Sequence, residues 1–328
     1  MKRSVASTAA LAAAILALVG LGALNAVAQP YPSKPIRMYV GFSAGSATDI
    51  VARVVSKGLS DRIGQPIVID NRTGAGGSLA GEAVARAAPD GYTLLTVSSA
   101  IAVNPAVYAK LPFDVERDLT PIVNVGTLPL VLLVSRSLPA TNLRDFIQYS
   151  RTRPGELHYG SSGKGGSIHL ATELLNTVAG IKLVHVPYRG NPQAVTALMG
   201  GEVQVLVDTV LLAAPNLKSQ KVAALAITGA ARSPLAADLP TFAEAGLAGY
   251  NAGLFFGIMG PAGLPKEIVE KLNSEINAVL KSAEAENRLG TAGGLQIVGG
   301  SSAQFAELMR AELAKWKQIA DVSGIKAE

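Results

Sequence analysis

Cysteine is absent from the 328 residues. That excludes a disulfide framework, a thiolate metal site, a cysteine nucleophile and lipid attachment at a cysteine after an export signal. Tryptophan occurs once, and aromatics make up only 5% of the chain, which leaves little for stacking on bases. Charge of one sign is scarce as well. The formal net charge of +5 falls to +3 once Lys2 and Arg3 are removed. So mild an excess gives no basic stripe of the kind nucleic-acid binding needs. Beyond the N-terminal segment, no run is apolar for long enough to cross a bilayer. A chain of this length without disulfides must be held by its core, and it is long enough to divide into two domains.

What is present begins with Lys2 and Arg3, followed by a small and apolar stretch from Ala9 to Leu24. Asn25, Ala26, Val27 and Ala28 come next. Ala26 and Ala28 are the small residues a signal peptidase requires around its cut. A retained membrane anchor is the alternative, but the run is short for a span and rich in Ala and Gly. Residues 1–28 are therefore read as a cleavable signal peptide, cut near Ala28, and the mature chain as an exported periplasmic protein.

After that segment, short β-rich runs alternate with amphipathic helical runs. Strands are expected at Ile36 to Phe42, Pro66 to Asp70 and Thr93 to Val97. Between them, Ile50, Val51, Val54, Val55 and Leu59 share one helical face within Ala47 to Ile63. A second helix is expected over Ser78 to Ala87. The theme restarts with strands at Leu130 to Val134, Leu157 to Gly160, Leu183 to Pro187, Val203 to Val207 and Val222 to Ile227. Helices lie between them: one capped by Asn142 and running through Arg151, one over Ser167 to Ala179, and one near Gln193 to Met199. The tail from Pro265 to Lys317 is mainly helical, with apolar stripes at Ile268, Leu272, Ile276, Val279 and Leu280 and at Phe305, Leu308, Leu313 and Trp316. This order predicts an α/β protein with a mixed, mostly parallel sheet in each of two lobes. Crossings near Val125 to Pro129 and Tyr250 to Phe255 put residues 29–126 and 251–328 in a discontinuous lobe 1 and residues 127–250 in lobe 2. The cleft between such lobes is where open α/β sheets bind ligands.

Three strand-to-helix junctions are rich in glycine and hydroxyl residues: Phe42 to Asp49, Asn71 to Ser78, and Gly160 to Ser167. A helix N-terminus leaves free N–H donors and a dipole that favours an anion, and glycine lets the backbone approach it. Each such terminus contributes about 0.3–2 kcal/mol toward an anion. Ordinary turn chemistry explains any one of these loops; three in one two-lobed protein point to a site that holds a carboxylate without needing an arginine. Asp49 reads as a first-turn residue favouring the dipole of its own helix. Asp208, after an apolar strand, accepts a hydrogen bond from a ligand hydroxyl or ammonium, or else caps the next helix. Arg189 is the nearest cation to that region.

Nucleotide and catalytic readings fail on detail. Leu79 stands where a GxGxxG pattern needs its last glycine, and Lys164 is followed by Gly165 where a P-loop needs Ser or Thr. Ser162, His169 and Asp208 suggest a hydrolase triad, yet Gly160-Ser161-Ser162-Gly163-Lys164 is not a GxSxG elbow. His158, His169 and His185 lack metal-ligand spacing. The expectation is a non-enzyme with neither cofactor nor metal.

Segments spread through the mature chain resemble the Bug family of periplasmic solute receptors, the TctC-like component of tripartite tricarboxylate transporters. They are Tyr31-Pro32-Ser33-Lys34-Pro35-Ile36, Thr48-Asp49 with Ala52-Arg53, Asn71-Arg72 with Gly74-Ala75-Gly76-Gly77, and Pro89-Asp90-Gly91-Tyr92-Thr93-Leu94-Leu95. Others are Tyr159-Gly160-Ser161-Ser162-Gly163, His185-Val186-Pro187-Tyr188-Arg189-Gly190, Gly200-Gly201-Glu202-Val203 through Asp208, and Gly260-Pro261-Ala262-Gly263. The resemblance implies a periplasmic-binding-protein-like, Venus-flytrap fold that closes on a small carboxylated solute, partly through ordered water. By that resemblance the site residues are Ser43, Ala44, Gly45, Ser46, Thr48, Asp49, Gly76, Gly77 and Ser78 from one lobe, and Ser161, Ser162, Gly165 and Asp208 from the other. It also implies a monomer delivering solute to the permease subunits of a tripartite tricarboxylate transporter. A ligand-binding sensor docking on a receptor kinase is the alternative, and a secreted serine hydrolase a remote one. One departure stands out: the family loop commonly reads Pro-Pro-Gly-Gly before Thr-Asp, whereas here Ser43 replaces a proline and Ser46 a glycine.

Overall fold

Ile36, Met38 and Val40 are fully buried, and they make the short strand β1 (Ile36–Val40) the centre of a parallel set. Its neighbours are β2 (Ile67–Asn71) and β3 (Thr93–Ser98), with Ile36 opposite Ile67 and Arg37 opposite Thr93. Parallel neighbours need a crossover, which α1 (Ala47–Ile63) and α2 (Ser78–Ala85) supply. The structure is a computed structural model that describes residues 31–218, 222–229, 232–250 and 252–323; Met1 to Ala28, read above as an export signal, lies outside the described residues. Helix α1 starts where Ser46 accepts a hydrogen bond from the Asp49 N–H. It stops at Gly64, whose φ of 68° is a left-handed value that costs glycine little.

Pro105, Pro112, Pro121 and Pro129 break any sustained period after β3, and the elements there do not follow from patterning. They are α3 (Ala100–Val107), α4 (Val115–Asp118) and most of β4 (Leu119–Ser135). The expected strand Leu130 to Val134 is thus the second half of a 17-residue strand. From Leu119 to Pro129, β4 runs antiparallel to β9 (Gly253–Pro261). From Leu130 on it pairs instead with β7 (Val205–Thr209), and from Val131 also with β8 (Val222–Ile227). The register against β9 shifts between Pro121 and Val123 and between Asn124 and Gly126. Such irregularities let a strand carry proline and glycine without ending.

The second set holds β5 (His158–Ser161) between β6 (Val184–Pro187) and β7, both parallel to it. Helices α5 (Leu143–Arg151), α6 (Ser167–Ala179), α7 (Asn191–Gly200) and α8 (Val210–Lys218) connect these strands. The strand order is β2-β1-β3-β9-β4-β7-β5-β6, with β8 and β10 (Gln296–Ile297) both added on β4. The parallel pairs lie in β2-β1-β3 and β6-β5-β7, and the pairs made by β9 and β4 are antiparallel. Asp208 falls inside β7, because the strand runs two residues further than Val207.

Helices α9 (Lys266–Leu280) and α10 (Ser302–Ser323) complete the described chain. The two expected stripes face inward: Leu272, Ile276, Val279 and Leu280 are buried, as are Phe305 and Trp316, while Leu308 and Leu313 pack partly buried on the same core. Phe305 meets Phe255 of β9 edge-on, with ring centres 6.0 Å apart, which anchors α10 over the strands. Among the described residues no helix is long and apolar enough to cross a membrane.

Candidate functional site

The three glycine-rich loops follow β1, β2 and β5, so each opens at the C-terminal end of a parallel strand. In the first, Gly45 adopts a φ of 80° and its N–H donates to Asp49 Oδ2 at 2.9 Å. Asp49 also accepts from Arg53 Nε at 2.8 Å, Arg53 Nη2 at 3.1 Å and Asn71 Nδ2 at 2.9 Å. Burial pushes its carboxyl up, but the bonds from Arg53, Gly45 and Asn71 and the Arg53 charge outweigh burial and hold it below its ordinary value. Asp49 therefore ties the first loop to β2 and spends its oxygens on the protein. Asp49→Ala is expected to cost about 1–3 kcal/mol by leaving the Gly45 N–H without an acceptor and Asn71 with only the Phe42 carbonyl, as urea unfolding would measure.

The second loop turns through four consecutive positive φ values, at Gly74, Ala75, Gly76 and Gly77. Three glycines make that path accessible. Asn104 of α3 holds it from behind, donating to the Gly76 carbonyl at 3.1 Å and to Ser78 Oγ at 2.7 Å.

The third loop is clamped by two histidines. Gly165 N–H donates to His169 Nδ1 at 3.0 Å, and Ser161 Oγ lies 2.6 Å from His185 Nε2. The two imidazoles stack with centroids 3.9 Å apart, and Tyr159 stacks on His185 at 5.0 Å. Burial, and then Lys164, push His169 down to about 4; burial, and then His169 and Lys164, push His185 down to about 3. Both rings are neutral at ordinary pH, as the accepting Nδ1 of His169 requires.

Loops from the two strand sets touch. A methyl group on Gly76 would stand 3.1 Å from the Gly165 carbonyl carbon, and one on Gly190 only 1.9 Å from Ser43 Oγ. The Tyr108 hydroxyl, just past α3, donates to the Lys164 carbonyl. Of the spaces among these contacts, two are lined by residues from both strand sets. The larger, about 330 Å³, is lined by Phe42, the Thr73–Gly77 segment, Tyr108, Ser162, Lys164 and Arg189, among others. That volume suits a small solute. The smaller, about 20 Å³, is lined by Phe42, Ser46, Thr48, Ser98, Ser162, Ser167, Asn191, Thr209 and Phe256, among others.

Of the residues expected from sequence, Ser46, Thr48 and Ser162 line the small cavity, and Gly76, Gly77 and Ser162 the large one. Ala44 and Gly45 are exposed and line neither space. Ser43 sits against Gly190, and Gly165 against Tyr108. Ser78 is engaged by Asn104, Ser161 by His185, and Asp208 is buried behind Asn191 and Thr209. Patterning does not single out Asn191, Thr209, Ser98 or Tyr108, and it reached Ser167 only as the end of the third junction. Only the Asn191-Pro192 pair at a helix start carried a local signal.

Among the described residues, Ser162, His169 and Asp208 do not assemble as a hydrolytic triad. His169 Nδ1 is taken by a backbone donor, and Asp208 is held by Asn191 and Thr209. The close serine–imidazole contact found among the described residues, Ser161 with His185, is partly buried and pairs the hydroxyl with a very weak base.

The family described as "Tripartite tricarboxylate transporter family receptor" matches residues 51–325. Protein BugT of Bordetella pertussis is 34% identical over 320 residues, covering 95% of this chain and 98% of BugT. Among solved structures, R. palustris Rpa4515 with adipate is 37% identical with a TM-score of 0.86, covering 90% of this chain and 99% of that one. MatC (Rpa3494) from Rhodopseudomonas palustris with bound malate is 32% identical with a TM-score of 0.83, covering 88% and 99%. The periplasmic-binding-protein-like fold follows from these neighbours. The chain belongs to the tripartite tricarboxylate transporter receptor family, the TctC- and Bug-type solute-binding proteins.

Proposed function

We propose that this protein is a periplasmic receptor that captures a small carboxylated solute between its two strand sets and delivers it to the membrane permease of a tripartite tricarboxylate transporter. Residues 29–126 with 251–328 form one lobe in this reading, and residues 127–250 the other, with β4 and β9 carrying the chain between them. The observation that carries it is the meeting of loop 74–78 with loop 161–166 around a 330 Å³ space, beside a smaller one where Ser46 and Thr48 of loop 43–49 face Ser162. These loops offer backbone N–H groups and hydroxyls at helix starts, with Lys164 and Arg189 at the same opening. Relatives solved with adipate and with malate support a carboxylate as the cargo. Solute that bridges the lobes stabilises the closed arrangement by its differential affinity for it.

Mass spectrometry of solute released from the purified mature protein, followed by titration with C4 to C6 dicarboxylates, tests this reading. One equivalent should bind, without turnover. A ligand at 100 times its dissociation constant should raise stability by about 2.7 kcal/mol. Conversion of the ligand, or no stabilisation by any carboxylate, would count against it.

A further inference from the structure

Three buried polar atoms at or beside the small cavity have no hydrogen-bond partner among the described residues: Ser167 Oγ, Thr209 Oγ1 and Asp208 Oδ2. Ser167 and Thr209 line the cavity. Asn191 lines it too, and its amide donates to Asp208. Asp208 is fully buried; Asn191 Nδ2 at 2.5 Å and the Thr209 N–H at 2.7 Å both donate to Oδ1, and the Thr209 side chain lies close enough to favour its charge as well. None of the groups acting on its charge is a cation. Asp49, the buried carboxylate on the opposite side of the site, differs on each point: both of its oxygens are filled, and Arg53 balances its charge.

A buried carboxylate oxygen without a donor is costly, so this corner is unfinished until a donor reaches it. No Lys or Arg lines the small cavity. The helix starts at Ser46, Ser167 and Asn191 favour an anion there, but Asp208 when ionised opposes one and leaves its own oxygen in need of a donor.

We propose that Asp208, Thr209 and Ser167 form an acceptor subsite for a hydroxyl or ammonium group of the solute, so that the receptor selects carboxylates bearing such a donor over plain carboxylates of the same length. This rests on the carboxylate-receptor reading above. The solute's carboxylate lies against the loops and Lys164, and its donor group against the β7 end.

Isothermal titration of the mature protein at pH 8 tests the subsite, using two matched sets of probes. One set is succinate, malate and aspartate; the other is glutarate, 2-hydroxyglutarate and glutamate. A hydroxy or amino member should bind at least tenfold tighter than the plain diacid of its set, and comparing malate with aspartate separates a hydroxyl preference from an ammonium preference. In Asp208→Asn, and independently in Thr209→Val, the preference should fall below threefold; the plain diacid should bind Asp208→Asn at least as tightly as wild type, because a repelling charge is gone, with thermal unfolding confirming that each variant is folded. Equal binding across a set, or a preference that survives both substitutions, overturns the subsite alone. If no member of either set binds the wild-type protein, the carboxylate-receptor reading fails, and the subsite with it.

Discussion

Gly76→Leu is expected to lower affinity for a carboxylate probe at least 100-fold while the protein stays folded. Gly76 has a φ of 60°, and a side chain there would begin 2.9 Å from Asn104 Oδ1 and 3.1 Å from the Gly165 carbonyl carbon. Gly165 belongs to the facing loop, and its backbone cannot rotate away as a side chain could. The two loops must part to admit the new side chain, which removes the arrangement in which both reach the solute. A 100-fold loss corresponds to about 2.7 kcal/mol. The control is Gly64→Leu, because Gly64 has a similar φ of 68° with nothing within 4 Å of an added Cβ. Both variants carry the left-handed backbone penalty of about 1–2 kcal/mol, and only one faces an opposing loop. Calorimetric titration beside urea unfolding separates the two effects. Equal affinities in the two variants would remove the proposed role of loop contact.

The second large effect concerns pH. Burial pushes the Asp208 carboxyl up to about 7, so the folded protein holds this proton where the unfolded chain, near 3.9, has released it. Its contribution to stability is therefore fully present below about pH 4 and is lost as pH rises through about 7. His169 and His185 act in the opposite sense. Their folded values of about 4 and about 3 lie below the ordinary 6.5, so stability falls as pH drops from 6.5 toward 4, when only the unfolded chain takes up protons. The two slopes oppose each other in wild type across mildly acid pH. Asp208→Asn removes one of them. Its stability relative to wild type should be greater at pH 8 than at pH 5 by on the order of 2–3 kcal/mol. Urea unfolding of both proteins at the two pH values gives that difference directly, and a difference near zero would mean Asp208 is not held protonated by the fold.

Local physics made much of this protein legible before any coordinates. The apolar face of α1 and the Asn142 cap of α5 are properties of neighbouring residues, and the structure places them as expected. The glycine-rich loops were equally visible, because a positive φ is a demand each residue makes on its own backbone. Non-local pairing accounts for what patterning missed. The Pro and Gly residues of β4 read as a break between strands, yet pairing with β9 and then β7 carries them through one continuous strand.

The site divides in the same way. Sequence by itself determined the α/β class and the three glycine-rich loops at helix starts. Only the tertiary structure decided that loops more than 80 residues apart in sequence, at Gly76 and Gly165, would touch. It also gave two buried aspartates opposite tasks: Asp49 is satisfied by Arg53 and Asn71, while Asp208 keeps one oxygen without a donor. The side chains alone are identical carboxylates. Their difference comes from which partners long-range packing brings within hydrogen-bond reach, and that is a property of the folded molecule and not of any stretch of its sequence.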